Sequence, residues 1–422
     1  MNPTTSLFTA ALGLSAPWEV LDVSFDLSAG RIDFTVGCAA GTRFTCPHCG
    51  AEHQPVHDTR ARDWRHLNFF QFHAHLHAKV PRVQCAACGK TAQVAVPWAR
   101  AQSGFTQLME ALIVTLCRAM TVRQVARLLG VSDMRIWRTL DHYVERARAR
   151  EDFSQVRHVG LDETAARRGQ HYISLFHDLE AQRLLFACAG RKGEVVAQFA
   201  EDLEAHGGCS ENITDVCVDM SASYRAGLAE HRPWAAVTFD EFHVIQLVNN
   251  AVDEVRRQEV KANPLLKRSR YLWLKDQRQW SPKQLRQYLD LRRLNLKTHR
   301  AFRLKESLRE IFRTAQSRAE AELLLGQWYS WARRCRLAPI KQVAKTLKDH
   351  WPGLLNAFDS QLTNARVEAA NARIQAAKAK AHGYGTVRHL ITIAYLIAGK
   401  LTHLPASPFG LRQAPNALIL AG

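Results

Sequence analysis

The sequence predicts a multidomain α/β protein, and three observations indicate that fold class. The chain has 422 residues and is 47% hydrophobic, which is enough apolar material for two or three globular domains. Two Cys-x-x-Cys pairs near the N-terminus are typical of a small metal-stabilised domain. From residue 157 onward, strand-like runs come first and then alternate with helical patterns, which predicts a mixed sheet with helices.

The four paired cysteines are the candidate metal ligands. Cys46 and Cys49 lie in CPHCG, and Cys85 and Cys88 lie in CAACG. Each pair is followed by glycine, which permits a tight turn that directs two thiolates at one ion, and four thiolates in a tetrahedral site favour zinc. We predict one structural Zn²⁺ in a zinc ribbon over about residues 40–95, with the apolar residues between the two pairs in its strands.

The same region is rich in histidine, which leaves a mixed cysteine and histidine site as the alternative. The alternation of His73, His75 and His77 predicts that these side chains share one solvated strand face. The other nearby histidines are His48, His53 and His57. Ten cysteines are too few for a disulfide scaffold in a chain of this length, so we expect a reducing compartment.

A helix-turn-helix is predicted after a linker near residues 97–103. An apolar helix over residues 105–120 precedes a helix whose buried face is expected to hold Val125, Leu128 and Leu129. Gly130 ends that helix and Ser132 can cap the next. An ordinary three-helix bundle shares this periodicity and is the alternative. On the last helix, the residues predicted to face a DNA groove are Met134, Arg135, Trp137 and Arg138.

Basic charge is concentrated in one segment of the chain. The formal net charge is +18, and residues 261–350 contain 23 Lys and Arg against 7 Asp and Glu. Helical spacing predicts an all-helical insertion there, and the surplus indicates a polyanionic partner. No apolar run approaches the roughly 20 residues of a membrane span, so we expect nucleic acid and no membrane. The candidate phosphate contacts are Lys267, Arg268 and Arg270, and the tryptophans that could stack on unpaired bases are Trp273, Trp280, Trp328 and Trp331, with Trp351 just beyond.

Two aspartates follow strand-like runs that should be neighbours. Three consecutive strands, then a helix, a strand, a helix and a further strand, is the order expected of a ribonuclease-H-like mixed sheet. Asp162 is expected to close the first strand and Asp219 the fourth. Their carboxylates would then meet at one edge of the sheet. Asp240 and His243 follow the fifth strand and could support the site or contact a phosphate.

A third acidic residue is predicted on a later helix. Glu368 shares a polar stripe with Asn364, Asn371 and Gln375, because these positions lie at helical spacing. The opposite face is apolar and is expected to pack on the sheet, with Val367, Ala370, Ile374 and Ala377. Three carboxylates at one place can hold two Mg²⁺, or Mn²⁺, for phosphoryl transfer.

Together these segments resemble the ISL-three family of bacterial insertion-sequence transposases, which carry an Asp-Asp-Glu triad. The resemblance covers nearly the whole chain and rests on the segments GLDETAARRGQHYISLFHDLE, VCVDMSASY, TFDEFHVIQLVNNAVDEVRR and LTNARVEAANARIQAAKAKAHGYG. It implies that Asp162, Asp219 and Glu368 are the metal-binding catalytic residues. It also implies that Asp240 and His243 form the Asp-x-x-His pair that follows the second aspartate in related transposases.

The expected organisation follows the order of these motifs. Residues 1–100 would contain the zinc ribbon, 101–150 the helix-turn-helix, 151–260 and 356–404 the two parts of a ribonuclease-H-like core, 261–355 the basic helical insertion, and 405–422 a C-terminal tail. The resemblance implies Mg²⁺-dependent cleavage and strand transfer of double-stranded DNA at terminal inverted repeats and at a target. It further implies a homodimer or larger oligomer on DNA, in the cytoplasm of a bacterium and associated with the nucleoid.

Two alternatives to this function stay open at this point. One is a DNA-binding regulator that uses the zinc ribbon and the helix-turn-helix, with an inactive nuclease-like domain. The other is a serine recombinase or covalent nuclease, but no Ser or Tyr of the sequence lies in a recognisable activated setting.

Overall fold

The chain forms two units. The computed structural model describes residues 3–167, 171–190, 194–218, 236–360 and 365–409. One unit comprises the chain up to Arg146 together with the segment that begins at His403, and the other is Ala147–Thr402. The first contains the four paired cysteines and the helix-turn-helix, and the second contains the acidic residues and the basic insertion.

The first unit is built around a five-stranded sheet. Helix α1 (Pro3–Ala11) precedes β1 (Trp18–Asp26), β2 (Arg31–Cys38), β3 (Val56–Arg65), β4 (His73–Gln84) and β5 (Thr91–Gln93). The strand order is β1-β2-β4-β3, with β5 beside β4, and only β2 and β4 run parallel. The segment between the cysteine pairs is therefore more than a ribbon, because the first half of β4, His73–Ala78, pairs with β2 from outside that segment. The buried side chains on this sheet include Ile32, Phe34, Trp64, Leu76 and Val80.

Three helices follow this sheet: α2 (Gln107–Cys117), α3 (Val122–Leu129) and α4 (Asp133–Arg148). Thr121 and Gln124 form a capping box at the start of α3, and Gly130, with φ of 65°, ends it in the left-handed conformation. The expected buried face of α3 was wrong at Leu128, which is 60% exposed. The helix instead buries residues at i, i+3, i+4 and i+7, namely Val122, Val125, Ala126 and Leu129.

The second unit contains the predicted mixed sheet. Its strands are β6 (His158–Arg167), β7 (His171–Asp178), β8 (Arg183–Ala189), β9 (Asp215–Val218) and β10 (Ala236–Phe239), with helix α5 (Glu194–Ala205) between β8 and β9. The strand order is β10-β9-β6-β7-β8. Strands β6, β7 and β8 pair antiparallel, whereas β9 and β10 run parallel to β6. The expected pairing of the first strand with the fourth is confirmed, since Gly160 of β6 pairs with Cys217 of β9.

Strand β6 is longer than expected. Asp162 does not close it, because the strand continues to Arg167 through pairing with β7, in which Glu163 faces Ser174 and Arg167 faces His171. Asp162 therefore lies in the middle of a long strand that β7 supports on one side and β9 supports only as far as Gly160.

Helices complete this unit, and the structure describes no helix long and apolar enough to cross a membrane. The hydrophobic residues of the insertion and those of the sheet belong to one continuous core. In chain order, the helices are α6 (Glu241–Glu259), α7 (Arg270–Leu274), α8 (Pro282–Arg292), α9 (Lys297–Thr314), α10 (Arg318–Arg334), α11 (Ala338–Asp349), α12 (Trp351–Ser360), α13 (Ala365–Lys380) and α14 (Val387–Ala398).

Most tryptophans of the insertion belong to this core, which corrects the expectation that they stack on unpaired bases. Trp273 and Trp328 are buried, and their indole N–H groups donate to Ser269 Oγ and to the Leu304 carbonyl oxygen. Trp280 and Trp351 pack partly buried against the same core. A buried indole needs such an internal acceptor for its N–H, so these rings are structural.

Candidate active site

Strand β6 and helix α13 bring polar side chains together. Asn371 Nδ2 donates to Asp162 Oδ2 at 2.5 Å, and one helical turn later Gln375 Nε2 donates to Thr164 Oγ1. Lys378 Nζ then donates to the Ala165 carbonyl oxygen at 2.5 Å. Alternate strand residues share a face, and helix residues four apart lie one above the other. The predicted polar stripe of α13 therefore lies along the face of β6 that carries Asp162.

Glu368 lies on this stripe, three residues before Asn371, and is half-buried. Its Oε1 atom is buried and has no hydrogen-bond partner in the part of the chain that the structure describes. Burial raises the pKa of the Glu368 carboxyl, and the negative charges of Asp240 and Asp162 raise it further, while His243 opposes them. A carboxylate held close to two others in a partly buried place is unfavourable without a cation.

Asp240 and His243 face the same place from another element. Asp240 directly follows β10 as the N-cap residue of α6 and is only 5% exposed. His243 Nδ1 lies 3.7 Å from Asp240 Oδ2, one helical turn later. The thiol of Cys217, buried in β9, has a raised pKa because of burial and then because of the Asp240 and Asp162 charges. Those two carboxylates thus both act on a residue of β9, the strand that lies between β6 and β10.

His177 completes the buried surroundings, and sequence reasoning missed it. It lies in β7 opposite Gly160 and is 3% exposed. Burial lowers the pKa of His177 to about 4, although the contact with Asn371 favours the charged imidazole and so raises that pKa in part. A neutral imidazole therefore lies beside the amide that holds Asp162. Its place opposite Gly160, two residues before Asp162, was the one available signal, and this signal depends on knowing the strand register.

The described donors fit a hard divalent cation. Asp162, Asp240 and Glu368 offer carboxylate oxygens, and the buried Oε1 of Glu368 lacks a hydrogen-bond partner among the described residues. Oxygen-rich sites of this kind suit Mg²⁺ or Mn²⁺. Asp219, the remaining predicted ligand, lies outside the described residues, and β9 ends at Val218, the residue before it.

The four paired cysteines form a separate cluster in the first unit. Their sulfur atoms all lie within 4.8 Å of one another, with Cys46 Sγ 3.9 Å from Cys88 Sγ and Cys49 Sγ 3.5 Å from Cys85 Sγ. The glycines that follow the second cysteine of each pair have positive φ, which forms the two tight turns. No histidine joins this cluster within the described chain. The arrangement supports a structural Zn²⁺ held by four thiolates.

The three alternating histidines share a strand face as predicted, but that face is not simply solvated. His77 Nε2 lies 2.5 Å from Asp33 Oδ1, and His73 Nδ1 lies 2.8 Å from Arg65 Nη2. Partial burial, with the charges of nearby arginines, lowers the pKa of His75 to about 4. β4 is an interior strand, so side chains of β2 and β3 on the same face, among them Asp33 and Arg65, flank these histidines and leave them half-buried.

The four residues predicted to face DNA differ in their surroundings. Met134 and Arg138 are exposed, and Trp137 is half-buried. Arg135 is half-buried as well; its Nη2 donates to the Gly104 carbonyl oxygen at 2.7 Å, and its guanidinium lies 3.9 Å from the centre of the Phe105 ring. In the other unit, the predicted phosphate contacts Lys267, Arg268 and Arg270 are all exposed, and Arg270 Nε lies 3.5 Å from Asp253 Oδ2.

Family comparisons match the chain in the same order as these features. A model described as the zinc-finger of transposase IS204/IS1001/IS1096/IS1165 matches residues 42–88, and the helix-turn-helix domain of transposase family ISL3 matches residues 94–144. The ISL3 model described as transposase matches residues 159–394, more than half of the chain. The chain belongs to the ISL3 transposase family. This membership confirms the family resemblance, the zinc ribbon and the helix-turn-helix.

Curated relatives of this ISL3 transposase agree with that family. It is 27% identical, over 94% of its length and 97% of theirs, to the transposases for insertion sequence element IS1557 of two Mycobacterium tuberculosis strains, CDC 1551 / Oshkosh and ATCC 25618 / H37Rv. It is 28% identical to the transposase for insertion sequence element IS1001 of Bordetella parapertussis, over 80% of its own length and 85% of that protein. The chain is thus a transposase of an insertion sequence, with a DNA-binding helix-turn-helix domain.

Proposed function

We propose that this transposase cuts and joins DNA at a metal-dependent site whose ligands are Asp162, Asp219 and Glu368. The observation that carries the proposal is the hydrogen bond between Asn371 and Asp162, which joins residues 209 positions apart and brings the helix of Glu368 onto β6. Asp219 is included because it directly follows β9, the neighbour of β6. The partly buried, mutually repelling carboxylates favour a role in holding cations over a solvated surface role.

The three acidic residues would supply oxygen ligands to two Mg²⁺, or Mn²⁺. When bound, such ions stabilise the attacking and the leaving oxygen of an in-line displacement at phosphorus. The protein itself fixes the ligands: Asn371 orients Asp162, and β6 and α13 hold Glu368 in its partly buried position. Asp240 and His243 are proposed to support Glu368 or to contact a phosphate of the DNA.

The substrate proposed is double-stranded DNA, first the terminal inverted repeats of the element and then a target. Met134, Trp137 and Arg138 are proposed to face the groove of the repeats, whereas Arg135 would fix the helix that carries them. In the insertion, Lys267, Arg268 and Arg270 are proposed to contact phosphates, so that binding weakens steeply as salt rises. Joining two element ends requires at least two protomers, and the reaction would take place at the bacterial nucleoid.

The test is cleavage of a labelled duplex that carries the inverted repeats flanking the gene. The unmutated protein should nick this duplex when Mg²⁺ is present. The Asp162→Ala, Asp219→Ala and Glu368→Ala variants should bind it with unchanged affinity and cut it at least about a thousandfold more slowly, because the metals carry most of the charge stabilisation. If the unmutated protein binds the repeats but never cuts them, the protein is a DNA-binding regulator with an inactive nuclease-like domain.

A further inference from the structure

The cations of the insertion and of the helix before it fall into two groups. Many are already matched by carboxylates: Arg256 and Arg270 contact Asp253, Arg278 contacts Glu310, Arg309 contacts Glu306, Arg313 contacts Asp276 and Arg318 contacts Asp359. Others are exposed and form no ion pair with any residue that the structure describes. Among these are Arg292 at the end of α8, Arg300 and Arg303 on α9, and Arg334 at the end of α10. This second group is free to bind an external anion.

One member of the unpaired group, Arg303, lies beside an exposed aromatic ring. Trp331 is 39% exposed, and it is the only exposed tryptophan in the described part of the chain. The Arg303 guanidinium lies 5.8 Å from the centre of the Trp331 ring, and Arg334 follows Trp331 by three residues on the same helix. The other described tryptophans of the insertion pack in the core, so Trp331 alone among them can offer a large part of its ring to a ligand.

Arg303, which lies beside this ring, and Arg292 of the preceding helix act on the same two side chains. Burial lowers the pKa of His299, and the charges of Arg303 and Arg292 lower it further. The same two arginines act on the Tyr288 hydroxyl, which lies 3.0 Å from His299 Nε2. Cations from α8 and α9 thus both disfavour the charged form of His299, and although the Glu306 carboxylate also acts on the Tyr288 hydroxyl, no described carboxylate forms an ion pair with Arg292 or Arg303. Exposed cations without an internal counter-ion attract phosphate.

We propose that Trp331, with Arg292 and Arg303, binds an unpaired segment of DNA. A base would stack on the indole while the guanidinium groups hold the adjacent phosphates. A paired duplex buries its base faces against one another, so an exposed ring selects for unpaired bases. The proposal rests on the proposed function, since strand cleavage creates unpaired DNA ends. It predicts that the insertion prefers single-stranded DNA to a duplex, a preference that a diffuse basic surface would not have.

The test compares two fluorescein-labelled probes, a 20-nucleotide oligothymidylate and a duplex of the same length without inverted repeats. Fluorescence anisotropy measures the affinity of the full chain for each, without added Mg²⁺. Trp331→Leu, which keeps apolar bulk but removes the ring, should weaken single-strand binding by about fivefold or more and duplex binding by less than about twofold. Trp331→Phe should retain most of the single-strand affinity. Arg303→Gln should weaken it and reduce its salt dependence.

Arg278→Gln is the matched control, because Arg278 is an exposed cation of the same insertion that Glu310 already neutralises. It should leave the affinities for both probes unchanged. The proposal is overturned if Trp331→Leu leaves single-strand affinity intact, if it weakens both probes equally, or if it changes only the oligomeric state in gel filtration. Circular dichroism confirms that each variant is folded. Because no cleavage is needed, failure of the proposed enzymatic function would be seen separately, in the nicking assay.

Discussion

Replacing Asn371 by alanine tests whether α13 orients the first aspartate of the site. The Asn371 amide donates to Asp162 Oδ2, and 8% of the Asn371 residue is exposed, so water cannot readily replace it. Gln375 offers a matched control, since it lies one helical turn later and donates to the neutral Thr164 hydroxyl of the same strand. The two changes remove similar amides from the same contact between strand and helix; Gln375 also donates to the Ala165 carbonyl oxygen and accepts from Lys378, but only Asn371 donates to a carboxylate.

The magnitude follows from that difference. A hydrogen bond to a charged group contributes about 1.5–3 kcal/mol, and one between neutral groups about 0.5–1.5 kcal/mol. Because about 1.4 kcal/mol corresponds to a factor of ten in rate, Asn371→Ala should slow cleavage by about ten- to a hundredfold. Gln375→Ala should slow it by about two- to tenfold. In Asn371→Ala the bound cation must itself orient Asp162, which weakens cation binding. The Mg²⁺ concentration that gives half-maximal cleavage should therefore rise for Asn371→Ala and stay unchanged for Gln375→Ala.

The assay is the rate of nicking of the inverted-repeat duplex, measured at a series of Mg²⁺ concentrations. Thermal unfolding of each variant without metal shows whether a loss of rate reflects a loss of fold. Equal losses at both positions, or a Mg²⁺ midpoint that moves equally for both, would refute the orientation of Asp162 by Asn371.

Three further predictions concern the first unit. The purified chain should contain one Zn²⁺, and Cys46→Ser should remove it, as measured by elemental analysis. Burial and the Arg65 charge lower the pKa of His66 to about 4, below the ordinary 6.5. The unfolded chain therefore binds a proton at His66 more readily than the folded chain does. This difference costs no stability above pH 6.5 and lowers the free energy of unfolding by up to about 3 kcal/mol as the pH falls to 4. Chemical denaturation of His66→Gln should show a flatter pH dependence over that range. Finally, Arg138→Ala should weaken binding to the inverted repeats, whereas Arg135→Ala should lower the melting temperature, because Arg135 holds Gly104 and Phe105.

Each of these three has a clear contrary result. Zinc that remains bound at full stoichiometry in Cys46→Ser would exclude the four-thiolate site. An unchanged pH profile in His66→Gln would mean that another group causes the acid sensitivity. If Arg135→Ala lost DNA affinity without any change in melting temperature, its guanidinium would contact DNA and not the loop.

Local patterns were enough for the parts of the molecule that depend on neighbouring residues. The cysteine pairs predicted their cluster because two residues between ligands fix a tight turn. The helical spacing of Glu368, Asn371 and Gln375 predicted a polar stripe, and the structure places the last two against β6. The positions of Asp162, Asp219 and Glu368 as catalytic ligands stay a prediction, supported by this contact and by the family.

What the sequence could not give depends on long-range pairing. Asp162 was expected at a strand end, but β7 extends β6 to Arg167 by pairing that no local pattern encodes. Leu128 fits an apolar helix face by spacing, yet the packing of α3 leaves it exposed. Tryptophans among cations look alike in sequence whether they are buried, as Trp273 is, or exposed, as Trp331 is. His177 enters the site only through the register of β7 with β6.

The most direct test of the central claim is a change of metal preference at Asp162. A cysteine thiolate is a softer ligand than a carboxylate, so it binds hard Mg²⁺ poorly and tolerates Mn²⁺ better. If Asp162 holds the catalytic cation, Asp162→Cys should fail to nick the inverted-repeat duplex with Mg²⁺ and should regain cleavage with Mn²⁺. Cleavage by Asp162→Cys that proceeds equally well with either ion, at the rate of the unmutated protein, would contradict the claim that this residue holds the cation.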